Sequence, residues 1–267
     1  MSDLARRDAR ERLSKSFMNT ACGEKAWLSI YRPRPWVAPE KVTFGTAVDA
    51  GCSAYIAMAR IGDPSAIDLE VAYLAAHDAV KDEPNRPDMG EVQDAIDAFT
   101  ALPFDWAFCR IGAQAGTAKA YTMRLELEGV PIPVECHPDV VLKDHSIWDI
   151  KTSNRAKPEN AAETSDTELS FYGICYEAFE GVTVPEVGYL TWTRTKAPRW
   201  QMVSADFTDD MRRRAYASAR RWAAAIKASS DDFNPFVFGP KWGCDDCQYH
   251  PALGGECELA QPLREVS

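Results

Sequence analysis

Apolar residues recur at helical spacing through most of positions 1–118. The pattern predicts helices over residues 1–31, broken around 19–23, over 43–60, and over the pair 65–80 and 89–101. Prolines interrupt the pattern between the first two helices and again before the last one. We therefore expect a single domain, 1–267, in which residues 62–118 form a helical insertion.

From residue 120 onward the pattern changes to short strands alternating with helices. Helical spacing over 164–179 predicts a helix that ends at Gly181, and 208–227 predicts an amphipathic helix capped by Thr208 or Asp209. Strand composition marks the stretches 121–128, 132–142, 147–152, 187–194 and 200–205. The order of these elements is typical of an α/β fold with a mixed β-sheet.

Composition indicates the general class of the protein but not the molecule that it binds. The chain has 46% hydrophobic and 26% charged residues, which is ordinary for a globular protein. No apolar run approaches the roughly 20 residues of a membrane span, and the first residues lack the apolar segment of a signal peptide. We therefore expect a cytoplasmic protein, in a bacterium or in the host of a phage, that does not enter membranes.

The net charge of −10 argues at first against a nucleic-acid partner, because phosphates bind to basic surfaces. Phosphate binding depends on the local charge of the binding channel, however, and basic residues do form clusters along this chain. Each cluster can equally be a solvated helix face. The clusters are Arg6, Arg7, Arg10 and Arg12, then Arg194, Lys196 and Arg199, then Arg212, Arg213, Arg214, Arg220 and Arg221.

The strands 132–142 and 147–152 carry the strongest chemical signal. With a turn centred near Asp144, Asp139 and Asp149 lie opposite each other on antiparallel strands, and Lys151 shares the face of Asp149. Facing carboxylates repel, and a bound Mg²⁺ or Mn²⁺ removes the conflict. Such an ion activates a water molecule for attack on a phosphate, and a nearby lysine stabilises the negative charge that develops in the transition state. The simpler alternative is a surface hairpin with a salt bridge, because Asp-x-Lys is common.

The neighbouring motifs extend this signal along the chain. The arrangement resembles the core of PD-(D/E)XK nucleases of the RecB-like branch, over roughly residues 14–257. The segment 45–49 stands where that family has a helix with Gly-x-x-x-His. Asp139 and Asp149-Ile150-Lys151 match its Gly-x-x-Asp and Asp-x-Lys, and 168–172 matches its Gln-x-x-x-Tyr.

The resemblance implies a restriction-endonuclease-like mixed sheet flanked by helices and assigns roles to individual residues. Asp139 and Asp149 would bind Mg²⁺ or Mn²⁺, with Asp49 and the carbonyl of Ile150 completing the site. Lys151 would activate water. Tyr172 would contact DNA or pack against the residues that bind the metal ion.

The chain departs from the family pattern at three positions. Asp49 replaces the usual histidine ligand, Cys136 stands where the glycine of Gly-x-x-Asp is expected, and Glu168 replaces the glutamine. A carboxylate at position 49 still suits a hard cation. We therefore expect activity, with a metal preference that can differ from that of the family.

Cysteine spacing indicates a second metal site near the end of the chain. Cys244 and Cys247 are separated by two residues and are followed by Cys257, which is a metal-ligand spacing. Three cysteines leave a fourth ligand to be found, and Cys22 is the candidate that the resemblance to RecB-like nucleases implies. The alternatives are a Zn²⁺ site in which His250 replaces Cys22, or a spacing that binds no metal. Cys52, Cys109, Cys136 and Cys175 are expected to pack in the core.

The cysteine set also resembles that of RecB-like nucleases with an iron–sulfur cluster, as in CRISPR-associated and AddB-type enzymes. The resemblance implies a [4Fe-4S] cluster held by Cys22, Cys244, Cys247 and Cys257. The cluster segments, residue 22 and residues 240–258, would tie the two ends of the chain together.

The sequence thus supports two hypotheses. The first is a metal-dependent deoxyribonuclease acting on single-stranded DNA ends in recombination, repair or DNA processing. The resemblance suggests a 5′→3′ exonuclease. The second is a catalytically impaired nuclease fold that binds DNA or a partner protein. We find no Gly-x-x-x-x-Gly-Lys loop, so a helicase or other recombination motor would be a separate chain.

Overall fold

The computed structural model describes residues 11–18, 23–32, 37–61, 68–109, 122–165, 167–230 and 232–236. Its α-helices are α1 (Lys15–Met18), α2 (Gly23–Tyr31), α3 (Glu40–Ile61), α4 (Leu69–Val80), α5 (Met89–Thr100), α6 (Leu169–Glu180) and α7 (Asp209–Ala228). Its strands are β1 (Leu13–Ser14), β2 (Met123–Leu125), β3 (Val134–Cys136), β4 (Val140–Val141), β5 (Ile147–Ser153), β6 (Glu186–Thr193) and β7 (Arg199–Asp206). A short 3-10 helix covers Trp106–Phe108.

The larger sheet is mixed, with strand order β4-β5-β6-β7. β5 and β6 are parallel, whereas the β4–β5 and β6–β7 pairs are antiparallel. Parallel neighbours need a crossover, and α6 supplies it between β5 and β6. A smaller, separate sheet has the strand order β1-β3-β2.

Helices cover both faces of the larger sheet. Because side chains alternate along a strand, β5 sends Ile147 into one hydrophobic core and Trp148 and Ile150 into another. The first core contains residues of α2, α6 and α7, and the second contains residues of α3, α4 and α5. The predicted fold class, a mixed α/β sheet flanked by helices, is confirmed for the described residues. None of the helices in these ranges combines the length and apolar character needed to cross a bilayer.

Two helix boundaries lie where the sequence predicted them. Gly181 ends α6 in the left-handed conformation, with φ of 69°, and its N–H donates to the Glu177 carbonyl. Thr208 caps α7, because its hydroxyl accepts a hydrogen bond from the N–H of Met211.

The structure corrects the prediction at three other places. Part of the predicted helix 1–31 is a strand, because Leu13–Ser14 pairs in parallel with β3. The predicted strand 132–142 is divided into β3 and β4 by residues 137–139, where Pro138 has no N–H to donate to a ladder. The helix predicted over 164–179 begins at Leu169, after a series of turns.

The helices predicted for the 62–118 segment are present as α4 and α5, and they are capped by Asp68 and Asp88. Residues 62–67 and 110–121 lie outside the described ranges. The assignment of this segment as an insertion stays a prediction.

Candidate active site

The hairpin of β4 and β5 brings the two predicted carboxylates together. Val140 pairs with Trp148, so the same register places Asp139 level with Asp149. The Oδ2 atom of Asp139 accepts a hydrogen bond of 2.8 Å from the N–H of Ile150. Asp139 therefore uses the backbone of β5 to fix its carboxylate beside Asp149, which is fully buried.

Two lysines neutralise Asp149 from opposite sides. The ammonium of Lys15 lies 3.1 Å from Oδ1, and that of Lys151 contacts Oδ2. Both ammonium groups also lie 3.3 Å from Oε1 of Glu168. Lys15 lies in α1, 134 positions away from Asp149 in the chain, so no local pattern could have predicted this contact.

The side chain of Glu168 contacts the site lysines instead of capping α6, because Ser165 accepts the hydrogen bonds at the start of that helix. Ser165 accepts a hydrogen bond from the N–H of Leu169 through its hydroxyl, at 3.1 Å, and from that of Ser170 through its carbonyl, at 3.0 Å. The Glu168 side chain makes no capping bond. Its Oε2 atom instead accepts a hydrogen bond of 2.8 Å from the hydroxyl of Tyr189.

Asp49 reaches the site from α3, on the other side of β5. The helix approaches closely at Gly45, where an added Cβ would lie 2.9 Å from Oγ1 of Thr152. Asp49 follows one helical turn later. Its Oδ1 atom is buried, and no described residue donates a hydrogen bond to it.

The charges of these groups shift each other's pKa values in opposite directions. Burial alone would raise the pKa of Asp149, but Lys151 and Lys15 outweigh it and lower that pKa to about 2. Burial, together with repulsion from Asp149 and Asp49, raises the pKa of Asp139 well above its usual range. Burial also raises the pKa of Asp49 to about 6, with Asp149 adding to the effect and the lysines opposing it.

The donor chemistry of the site suits a hard divalent cation. With every group ionised, Asp49, Asp139, Asp149 and Glu168 exceed Lys15 and Lys151 by two negative charges. The orphaned Oδ1 atom of Asp49 is a buried acceptor that a cation would satisfy. In the described part of the chain, however, no three His, Cys, Asp or Glu side chains converge as ligands of one ion. Ligation by all three aspartates therefore requires side-chain rearrangement.

Two further predicted residues support this cluster from within the fold. Tyr172 is 1% exposed, and its ring centroid lies 4.8 Å from the ammonium of Lys15. Ile150 is also buried, and its carbonyl lies 3.4 Å from the ammonium of Lys151. Tyr172 thus contacts a lysine of the site, and the Ile150 carbonyl faces the other lysine.

The four predicted cluster cysteines, Cys22, Cys244, Cys247 and Cys257, lie outside the described residues, as does His250. The other four cysteines, Cys52, Cys109, Cys136 and Cys175, are buried and unbridged, as expected of core residues.

The basic residues that the structure describes largely form ion pairs. Arg194 contacts Glu40 and Glu91, Arg212 contacts Glu177, and Arg213 and Arg214 both contact Asp210. These ion pairs already engage arginines of two of the clusters, and Arg194 and Arg212 are partly buried. Arg6, Arg7 and Arg10 lie outside the described residues.

The comparisons with known proteins identify a structure with a similar fold. No protein-family model and no curated protein matches the chain. A crystal structure from Eubacterium rectale, described as a "putative exonuclease", aligns with a TM-score of 0.57 at 11% sequence identity. The alignment covers 84% of each chain. At that identity the likeness shows a shared fold.

Proposed function

We propose that the protein is a metal-dependent deoxyribonuclease that hydrolyses phosphodiester bonds. The observation that carries the proposal is the buried cluster at β5, where Asp139 and Asp149 lie together with Lys151 and Asp49 approaches from α3. The shared fold with a protein described as an exonuclease supports it.

In this proposal Asp139, Asp149 and Asp49 hold Mg²⁺ or Mn²⁺, with the Ile150 carbonyl as a further oxygen donor. The ion, when bound, supplies Lewis acidity and lowers the pKa of water. Every other contribution comes from the chain itself.

Lys151 acts as a cationic donor. Burial would lower its pKa, but Asp149, Glu168 and Asp139 raise it well above the usual value, so the ammonium stays protonated. It can therefore orient water and stabilise the negative charge that develops on the phosphate. Tyr172 is too deeply buried to meet DNA and acts by positioning Lys15.

The finer assignments rest on the motif resemblance. We infer that the substrate is single-stranded DNA or a DNA end, that cleavage is exonucleolytic and runs 5′→3′, and that the reaction serves recombination or repair in the cytoplasm. A helicase or recombination protein is the partner this role would need.

A second candidate, a catalytically impaired nuclease fold that binds DNA or a protein, is favoured by two observations. Lys15 and Lys151 already compensate Asp149 and Glu168, and the carboxylates do not converge as three ligands in the described residues. A site closed by its own lysines would bind an ion poorly.

Cleavage of end-labelled single-stranded oligonucleotides in Mn²⁺ or Mg²⁺ distinguishes the two candidates. Asp149→Asn should slow cleavage by about 100-fold or more, because a metal ligand contributes several kcal/mol to the transition state. Asp144→Asn is the matched control in the same hairpin, where the Asp144 carboxylate accepts hydrogen bonds from the N–H and the hydroxyl of Ser146.

Equal rates for the wild type and Asp149→Asn would show that the catalytic proposal is wrong. DNA binding without cleavage would establish the second candidate. Labels at the 5′ and 3′ ends report the polarity in the same assay.

For the cysteine set we propose a [4Fe-4S] cluster on Cys22, Cys244, Cys247 and Cys257, with Zn²⁺ as the alternative. Anaerobically purified protein should be brown and contain iron and acid-labile sulfide. A colourless protein containing zinc would overturn the iron–sulfur assignment.

A further inference from the structure

Lys157 lies in the loop between β5 and α6, and both its backbone N–H and its backbone carbonyl form hydrogen bonds. Its N–H donates to Oε1 of Gln201 at 2.8 Å, and its carbonyl accepts from Nε2 of the same residue at 2.9 Å. Gln201 belongs to β7, a strand of the larger sheet. The sheet therefore fixes where the Lys157 side chain begins.

The ammonium of Lys157 lies over an aromatic ring instead of a carboxylate. It is 3.9 Å from the ring centroid of Tyr189. Within the described residues no Asp or Glu makes an ion pair with it, in contrast to Lys15 and Lys151, which both contact Asp149 and Glu168. Burial lowers the pKa of Lys157, and the more distant Glu168 and Asp149 only partly oppose this.

Lys157 also lies on the same face of the sheet as the site. The register sets Asp149 beside Tyr189 and Lys151 beside Thr191, which in turn pairs with Gln201. Neighbouring strands are about 4.8 Å apart, so the ring of Tyr189 is one strand away from Asp149. The Tyr189 hydroxyl binds Glu168, which both site lysines contact.

We propose that Lys157 is a phosphate receptor that binds a backbone phosphate of the nucleic acid next to the one at Asp139 and Asp149. The inference rests on the proposed function and deepens it. A fixed, half-buried cation without a carboxylate partner gains most from an incoming anion, because no existing ion pair has to be broken. Lys15 and Lys151 would each have to exchange a carboxylate for a phosphate.

The competing explanation is purely structural. A lysine over a tyrosine ring is a stabilising contact in its own right, and this contact could serve only to hold the loop. A structural lysine and a phosphate-binding lysine differ in the salt dependence of DNA binding, because only the second releases counterions from the nucleic acid.

The test is fluorescence anisotropy with a short fluorescein-labelled single-stranded oligonucleotide, in Ca²⁺ to avoid turnover, over a series of salt concentrations. Lys157→Met keeps the apolar stem against Tyr189 and removes the charge. We expect its Kd to rise several-fold and the slope of log K against log salt to fall by about 0.7. Lys157→Arg should retain both values.

Lys143→Met is the matched control, because its ammonium also lies over a ring, 4.5 Å from the centroid of Phe108, in the turn before β5. It should leave Kd and slope unchanged. An unchanged slope in Lys157→Met, or an equal loss in Lys143→Met, would overturn the proposal while wild-type binding and cleavage persist. Failure of the wild type to bind or cleave DNA would instead refute the proposed function on which it rests.

Discussion

At the scale of single residues, Asp49 is a carboxylate whose negative charge the fold opposes. Its pKa is raised from 3.8 to about 6, chiefly by burial. Between those two values the folded protein binds more protons than the unfolded chain, so the free energy of unfolding falls as the pH rises through this window. Above the window the metal-free protein carries the full cost of a buried carboxylate.

Asp49→Asn should therefore stabilise the metal-free protein at neutral pH. We expect a gain of about 1–3 kcal/mol, since each pKa unit corresponds to about 1.4 kcal/mol, and a loss of the pH dependence described above. Urea unfolding in EDTA at a series of pH values measures both effects. An Asn variant that unfolds like the wild type at every pH would show that Asp49 is solvated.

Lys15 would compete, as Lys151 would, with a metal ion that binds Asp149. Its ammonium lies 3.1 Å from the Asp149 carboxylate and 3.3 Å from that of Glu168. Lys15→Gln should tighten Mn²⁺ binding by up to about tenfold, the equivalent of about 1.4 kcal/mol, because the ion no longer has to displace a cation.

Calorimetric titration with Mn²⁺ measures this affinity. Lys25→Gln provides a control that removes a lysine of α2, a helix that contributes none of the residues that the structure describes in the Asp149 cluster. Weaker Mn²⁺ binding in Lys15→Gln would mean that Lys15 positions the carboxylates for the ion instead of competing with it.

At the scale of elements, the contact between α3 and β5 brings Asp49 to the strand that bears Asp149. The contact depends on Gly45, because a Cβ there would lie 2.9 Å from Oγ1 of Thr152. In an unconstrained helix Gly→Ala stabilises by about 1 kcal/mol. Here we expect Gly45→Ala to lower the free energy of unfolding by about 1–3 kcal/mol, as overpacking does, and to reduce cleavage by displacing Asp49.

The double variant Gly45→Ala/Thr152→Ala separates the clash from other effects. Removing the Thr152 hydroxyl should restore stability, and the single Thr152→Ala variant gives the baseline for the cycle. Denaturant unfolding and the cleavage assay measure the two consequences. If the single Gly45→Ala variant is more stable than the wild type, the helix and the strand are not held this closely.

Elements governed by local chemistry were predictable from the sequence. The left-handed end of α6 needed Gly181, and the start of α7 needed the hydroxyl of Thr208. The strand at Leu13–Ser14 was not predictable, because its pairing partner β3 lies some 120 positions away and overrides the helical spacing. Similarly, Pro138 divides a run of strand composition, and Asp139 lies in that interruption beside Asp149.

At the scale of the whole molecule, the same distinction separates what the sequence revealed of the site from what it could not. Asp139, Asp149 and Lys151 lie on one hairpin, so strand periodicity and register predicted their proximity. Lys15, Ser165 and Lys157 act through contacts that form when distant segments pack together, and no spacing rule links them to Asp149. The net charge of −10 was equally uninformative, because the charges that matter lie within one cluster.

Metal binding at that cluster should be measurable as stability of the entire fold. An ion that binds only the folded state stabilises it by about 2.7 kcal/mol at a concentration of 100 times Kd. For a chain of this size that corresponds to a rise in Tm of roughly 5–10 °C. Calorimetric scans in EDTA and in Mn²⁺ should show this shift for the wild type and for Asp144→Asn, and should lose it for Asp149→Asn.

Comparing the wild type with Asp149→Asn also tests where the ion binds. Asp149→Asn takes away the carboxylate that both lysines contact, so the cluster loses a proposed metal ligand without losing a hydrophobic contact. If Asp149→Asn keeps the full Mn²⁺ shift, the stabilising ion binds elsewhere, and the proposed site on β5 does not bind metal. If the shift disappears together with cleavage, one cluster accounts for both.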